Sequence, residues 1–183
     1  WGQADKYNVP RMCFVNKLNL IGGDFEMSLK AIRDELSSNA VAITYPIGKE
    51  HAIRGYVDLV TMKAYEYSDD TKQEFKEIEI PAEVKARSEE LHSVLVEKLA
   101  ESDDVLMEKY LSDGVLEIDE LYTALRIMTL SGQVFPVMGG DSRMAETKVL
   151  LDNVCRYLPS PFQKRYIWVN KETEVKEEYV GKI

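Results

Sequence analysis

The sequence predicts an α/β protein, a parallel sheet with helices, interrupted by an inserted α+β subdomain. Three observations carry this. The run "RMCFVN" (11–16) is continuously apolar at its centre and too short for a helix, which suits a strand buried on both faces. A helical segment and a second apolar run follow it, giving the strand–helix–strand order of a βαβ unit. Between residues 53 and 130 the pattern turns to antiparallel strand pieces and then helices, before a strand and a helix resume at 133.

Each element has its own signal. The opening stretch "WGQADKYNVP" reads as part of a helix, as though the chain continued upstream, and lacks a basic-then-apolar secretory pattern. Phe25, Leu29, Ile32 and Leu36 recur at helical spacing behind Asp24, a natural N-cap, so a helix is predicted over 24–36. "AVAITYPIG" (40–48) is predicted as one strand. "IRGYVDLVTMKAYEY" (53–67) is rich in β-formers, and "EFKEIEI" (74–80) alternates with period two, as an exposed strand does. Pro81 opens a helix with Val84, Leu91, Leu95 and Leu99 on one face. A short helix over 105–111 stops at Ser112-Asp113-Gly114. Another, 117–130, turns Ile118, Leu121, Leu125 and Met128 inward. Leu91, Leu95, Leu121 and Leu125 are expected to give 51–131 a core of its own. "QVFPVMGG" (133–140) is a strand ending in two glycines, and Val149, Leu150, Val154 and Leu158 mark a helix over 147–158 that "PSP" (159–161) breaks. The tail reads as β with charged gaps.

Composition narrows the function classes. Hydrophobic residues make up 45% and charged residues 30% of 183 residues, enough for a real core. No apolar run approaches bilayer length. Cys13 and Cys155 are the only cysteines and are expected to be buried reduced thiols, as in a cytosol-like compartment. His51 and His92 stand alone, so no metal site is expected. Net charge is −9, yet residues 63–120 hold 18 acids against 7 bases, leaving the rest slightly basic. Phosphates would be repelled, so 63–120 is not expected to bind nucleic acid directly. This acidic segment is either a solvated face or a dock for a basic or hydrophobic protein.

The chemistry lies in "FVNKLNLIGGDFE" (14–26). An apolar strand ends in Asn16-Lys17-Leu18-Asn19, one letter from the Asn-Lys-x-Asp signature that reads guanine. Guanine shows two adjacent donors, N1–H and the exocyclic amine, and a carboxylate accepts both. Asn19 offers one acceptor and sets its own NH2 against a donor. Such a loss costs roughly 1.5–3 kcal/mol, or about 10- to 150-fold in affinity. Asn16 is placed to brace the turn, and Lys17 to lay its methylenes over a base.

Beyond this motif, the blocks "QADKYNVPRMCFVNKLNLIGGDF" (3–25), "YPIGKEHAIRGYVDLVTMKAYEY" (45–67), "EIEIPAEVKARSEELHSVLVEKLAESDDVLMEKYL" (77–111) and "VLLDNVCRYLPSP" (149–161) stand in the same order as in translation elongation factor G, which the chain resembles over 3–161. The resemblance implies a partial Ras-like G domain: 1–50 and 132–160 its C-terminal half, 51–131 the inserted G′ subdomain, and 161–183 the start of a β-barrel domain. It implies a bacterial cytoplasmic or organellar-matrix translocase, the ribosome as partner, and the large-subunit stalk protein as a partner of the acidic insertion. It implies GTP or GDP in the whole factor, read here by Asn16, Lys17, Asn19, Gly140, Asp141 and Ser142. Two departures stand out. Asn19 replaces the aspartate, and Gly140-Asp141-Ser142 replaces the Gly-Ser-Ala turn whose backbone N–H meets guanine O6, with Asp141 expected to bring negative charge near that edge.

No Gly-x-x-x-x-Gly-Lys-Ser/Thr loop occurs in the chain. The resemblance places that loop and its magnesium before Trp1, so no catalytic residue and no GTP hydrolysis are expected of this chain alone. Ribosome-protection proteins that expel tetracycline share the G domain and a segment like "LMEKYLSDG" (106–114), and give the alternative family. A non-enzymatic docking module with a vestigial nucleotide site is the reading from another class.

Overall fold

The computed structural model describes residues 1–163, and 165–169 and 176–180 as backbone strands. A short helix, α1 (Gly2–Lys6), leads into β1 (Cys13–Val15), α2 (Phe25–Glu35) and β2 (Ala40–Ala42). A later strand, β7 (Phe135–Gly139), lies between β1 and β2 and runs parallel to both, followed by α6 (Glu146–Tyr157). The first two strands are therefore parallel, as the βαβ reading predicts, but β7 separates them.

β7 is buried throughout and still holds Pro136. Its residues face alternate neighbours: Phe135 donates to the Asn39 carbonyl at 3.1 Å, and Gly140, just past the strand, to that of Val15 at 3.0 Å. Pro136 faces the β1 side one position before β1's first partner, Val137, so no ladder bond calls for its missing N–H.

The segment 40–48 is not one strand. Ile43 donates to the Val137 carbonyl at 2.8 Å, and its own carbonyl accepts from Leu59 at 3.0 Å. The chain thus leaves the parallel sheet at Ile43 and enters a second, antiparallel sheet. That sheet is ordered β3 (Thr44–Ile47), β4 (Gly55–Asp58), β5 (Lys63–Tyr67) and β6 (Phe75–Ile78). Three helices follow: α3 (Ala82–Ala100), α4 (Asp104–Asp113) and α5 (Ile118–Leu130). Local chemistry sets their ends. Asp24 caps α2 by accepting from Met27 N at 2.9 Å, and Asp103 caps α4 by accepting from Val105 N at 2.8 Å. Glu120 reaches back to the Glu117 N–H at 2.8 Å in the first turn of α5.

Leu91, Leu95, Leu121 and Leu125 are buried, but they do not form a separate core. One cluster of buried side chains runs from Leu18, Phe25 and Val137 through Val57 and Ala64 to Leu95 and Leu125. Continuity through Ile43 is the reason, together with the packing of α3 on β2 and of α5 on α6. Two smaller expectations are also corrected. Ile118 is exposed rather than inward. Cys155 is exposed on α6, while Cys13 is half-buried. Val149 and Leu150 pack against the core as expected, and the deepest positions on the same face of α6 are Glu146, Asn153 and Tyr157, with the Asn153 amide satisfied on the Val149 carbonyl at 2.8 Å. His92 is tied to the Leu59 carbonyl at 2.6 Å.

β8 (Arg165–Val169) and β9 (Lys176–Val180) pair antiparallel. The remainder of the β-barrel start expected at 161–183 lies outside the described residues. Among the described residues no helix is long and apolar enough to cross a membrane.

Candidate functional site

The two loops singled out in the sequence leave the same ends of neighbouring parallel strands, β1 and β7. Their ladder runs one step past the strands: Gly140 N–H bonds the Val15 carbonyl at 3.0 Å, and Leu18 N–H the Gly140 carbonyl at 3.4 Å. Asn16 then stitches the loops. Its Oδ1 accepts from the Lys17 N–H at 2.8 Å and from the Ser142 N–H at 3.1 Å. Lys17 is exposed and sits at φ +62°, where the chain reverses, and the turn closes with Leu20 N–H on the Lys17 carbonyl at 3.1 Å. Asn16, Lys17 and Asn19 on one loop thus meet Gly140, Asp141 and Ser142 on the other.

Asn19 turns its amide oxygen inward, where it is buried and unpartnered among the described residues. Rotating the amide by half a turn would expose the oxygen and bury the NH2 instead. Asp141 does not carry the bare charge expected of it. Its carboxylate is buried and holds the Arg143 guanidinium through both oxygens, Nε at 3.2 Å and Nη2 at 3.0 Å, and also accepts the Arg143 N–H at 3.0 Å. Hydrogen bonding to Arg143 holds this carboxyl below its ordinary pKa, so it is an ionised but neutralised pair. The Gly140, Ser142 and Arg143 amides are all taken by protein oxygens, whereas the Asp141 N–H bonds none of the described residues.

The two glycines ending β7 are close-approach positions. A Cβ on Gly139 would come within 2.6 Å of Leu18 Cδ1 and 2.9 Å of Phe25 Cδ2. A Cβ on Gly140 would overlap Glu146 Cγ and come within 2.8 Å of its Cβ. Leu18 and Phe25 therefore fix the turn from one side, and Glu146 from beneath.

Glu146 and its partner Tyr67 are the site residues that sequence reasoning missed. In the sequence Glu146 reads as an ordinary acid at a helix start. In the fold it is 2% exposed, its Oε1 accepts the Tyr67 hydroxyl, and its Oε2 is buried and unpartnered among the described residues. Burial pushes its carboxyl above the ordinary value. Tyr67 comes from the antiparallel sheet, so the insertion reaches the loop pair through Glu146.

A cavity of about 230 Å³ opens on the far side of Leu18, between Phe25, Tyr45, Ile53 and Val84. Its carboxylates are already matched: Asp24 with Lys49 at 3.7 Å, Glu26 with Arg87 at 2.7 Å and Glu83 with Arg54 at 2.7 Å. Among the described residues no three His, Cys, Asp or Glu side chains gather as metal ligands.

No protein-family model matches the chain. A crystal structure of a protein from Thermus thermophilus is similar to it, with 29% sequence identity and a TM-score of 0.76. The match covers 88% of this chain and 24% of that one, so this chain spans about a quarter of that protein's length. The two share a mixed α/β fold across the parallel and antiparallel sheets described above.

Proposed function

We propose that this chain is the base-reading half of the Ras-like G domain of an elongation factor G-like translational GTPase, with its G′ insertion. The observation that carries the reading is the meeting of the Asn16–Asn19 and Gly140–Ser142 loops at the ends of adjacent parallel strands, joined by the 3.1 Å bond from Ser142 N–H to Asn16 Oδ1. That is the juxtaposition a guanine site needs, since one loop must meet the N1 edge while the other meets O6. The likeness to a Thermus protein about four times as long is consistent with a piece of a larger factor.

The residues fit guanine only in part. Asp141 N–H is the donor left to meet a carbonyl oxygen such as O6. Asn19 presents no carboxylate to the N1–H and amine pair. Guanine nucleotide, when bound, supplies the state that governs ribosome affinity. This chain contributes the turn that orients the base, and its sequence has no phosphate loop, so it does not hydrolyse GTP on its own. Lys17 covers the base with its methylenes, and Asn16 holds the two loops in register. The ribosome is the partner, and the acidic insertion is the face offered to the stalk protein.

Sedimentation of the full-length protein with ribosomes tests the reading. Co-sedimentation that rises with a non-hydrolysable GTP analogue is expected. Failure to co-sediment under any nucleotide condition contradicts it.

A further inference from the structure

The β5–β6 hairpin does more than cap its own sheet. Its tip lies on the start of α6: Ala145 N–H donates to the Lys72 carbonyl at 2.9 Å, and Lys148 Nζ to the Gln73 carbonyl at 2.9 Å and to the Glu74 carboxylate. Lys72 is at φ +56°, a turn that aims its carbonyl at α6, and its ammonium lies 5.3 Å from the Tyr67 ring centroid. Tyr67, at the end of β5, donates its hydroxyl to Glu146. Glu146 in turn fills the space where a side chain on Gly140 would stand. Two residues further on, Ser142 N–H closes on Asn16. An unbroken series of contacts thus runs from the insertion, through Tyr67 and Glu146, to the stitch between the two loops.

We propose that Tyr67 and Glu146 make the β5–β6 hairpin a positioning arm for the Gly140–Ser142 turn, so that freeing the hairpin loosens the bond between Ser142 and Asn16. The coupling is reciprocal. Whatever fixes the loop pair holds the hairpin down, and whatever draws the hairpin away opens the loop pair. The turn's role as a base reader rests on the proposed function, but the mechanical coupling is measurable without nucleotide.

Residue-resolved amide exchange of the chain and four variants tests it. Tyr67→Phe removes one hydroxyl and keeps the ring. Exchange at Gly140 and Ser142 is expected to rise about five- to tenfold, with α3 and α5 unchanged. Glu146→Gln keeps both the shape beneath Gly140 and an oxygen for Tyr67, and is expected to stay near wild type. Glu146→Ala removes both and exceeds Tyr67→Phe. Lys63→Ala breaks the Lys63–Glu77 pair at the open end of the same hairpin, away from Tyr67, and leaves the turn unchanged. Unaltered exchange at Gly140 and Ser142 in Tyr67→Phe, or an equal rise in α3 and α5, overturns the proposal. Absence of nucleotide binding would overturn the base-reading role alone.

Discussion

Asn16 serves two N–H groups with one oxygen, and that explains how a four-residue motif organises a site. Asn16→Ala frees both donors at an exposed position, so water replaces them. The expected loss is about 0.5–1.5 kcal/mol, read from the urea midpoint, with increased exchange at Ser142. Glu146 makes a different prediction. Burial raises its carboxyl pKa above the ordinary 4.5. The folded chain then holds this proton at pH values where the unfolded chain has released it. Stability therefore falls as pH climbs from the unfolded to the folded value, and the loss persists above it. Glu146→Gln lacks this component. Urea midpoints from pH 4 to pH 8 are expected to slope less in the variant, and an identical slope would show that Glu146 titrates as in the unfolded chain. Asn16 was legible in the sequence because it opens a four-residue motif that follows an apolar strand. Glu146 was not, because its partner Tyr67 is 79 residues away and a lone acid at a helix start carries no sign of burial.

At the scale of elements, local signals transferred well where the chemistry is local. Asp24 caps α2 as its spacing from Phe25 and Leu29 suggests, and Asp24→Ala is expected to cost about 1 kcal/mol in a denaturation curve. The alternation of 74–80 marked an exposed strand, and β6 stands at the edge of its sheet with Lys76 and Glu77 exposed. The break at Ile43 left no trace, since "AVAITYPI" is uncharged through both sheets and only tertiary pairing decides where one strand ends. On α6 Val149 and Leu150 pack on the core as their spacing suggests, but the deepest positions include Glu146 and Asn153, which are polar by composition and buried by partnership. Because the core is one cluster, Leu95→Ala is expected to destabilise the parallel sheet as well as the insertion, by roughly 2–5 kcal/mol. Amides of β7 and α3 should lose protection together. Independent loss in α3 alone would mean that the insertion unfolds by itself.

For the molecule as a whole, charge and base reading are the two functional statements. Nine acids and two lysines lie between residues 97 and 120, and Lys98 and Lys109 are already paired with Glu101 and Glu120. If this face docks a basic partner, retention of the chain by isolated stalk protein should weaken steeply with salt. Retention indifferent to salt would mark the acids as a solvated surface. The proposed function has the full-length protein read a guanine base through this chain's two loops with one contact impaired. Calorimetric titration of the full-length protein with GDP, wild type against Asn19→Asp, tests it most directly. The account predicts binding about 10- to 150-fold tighter in Asn19→Asp, as the carboxylate regains both donors of the base. Tight binding by the wild type, unimproved by the substitution, would contradict it.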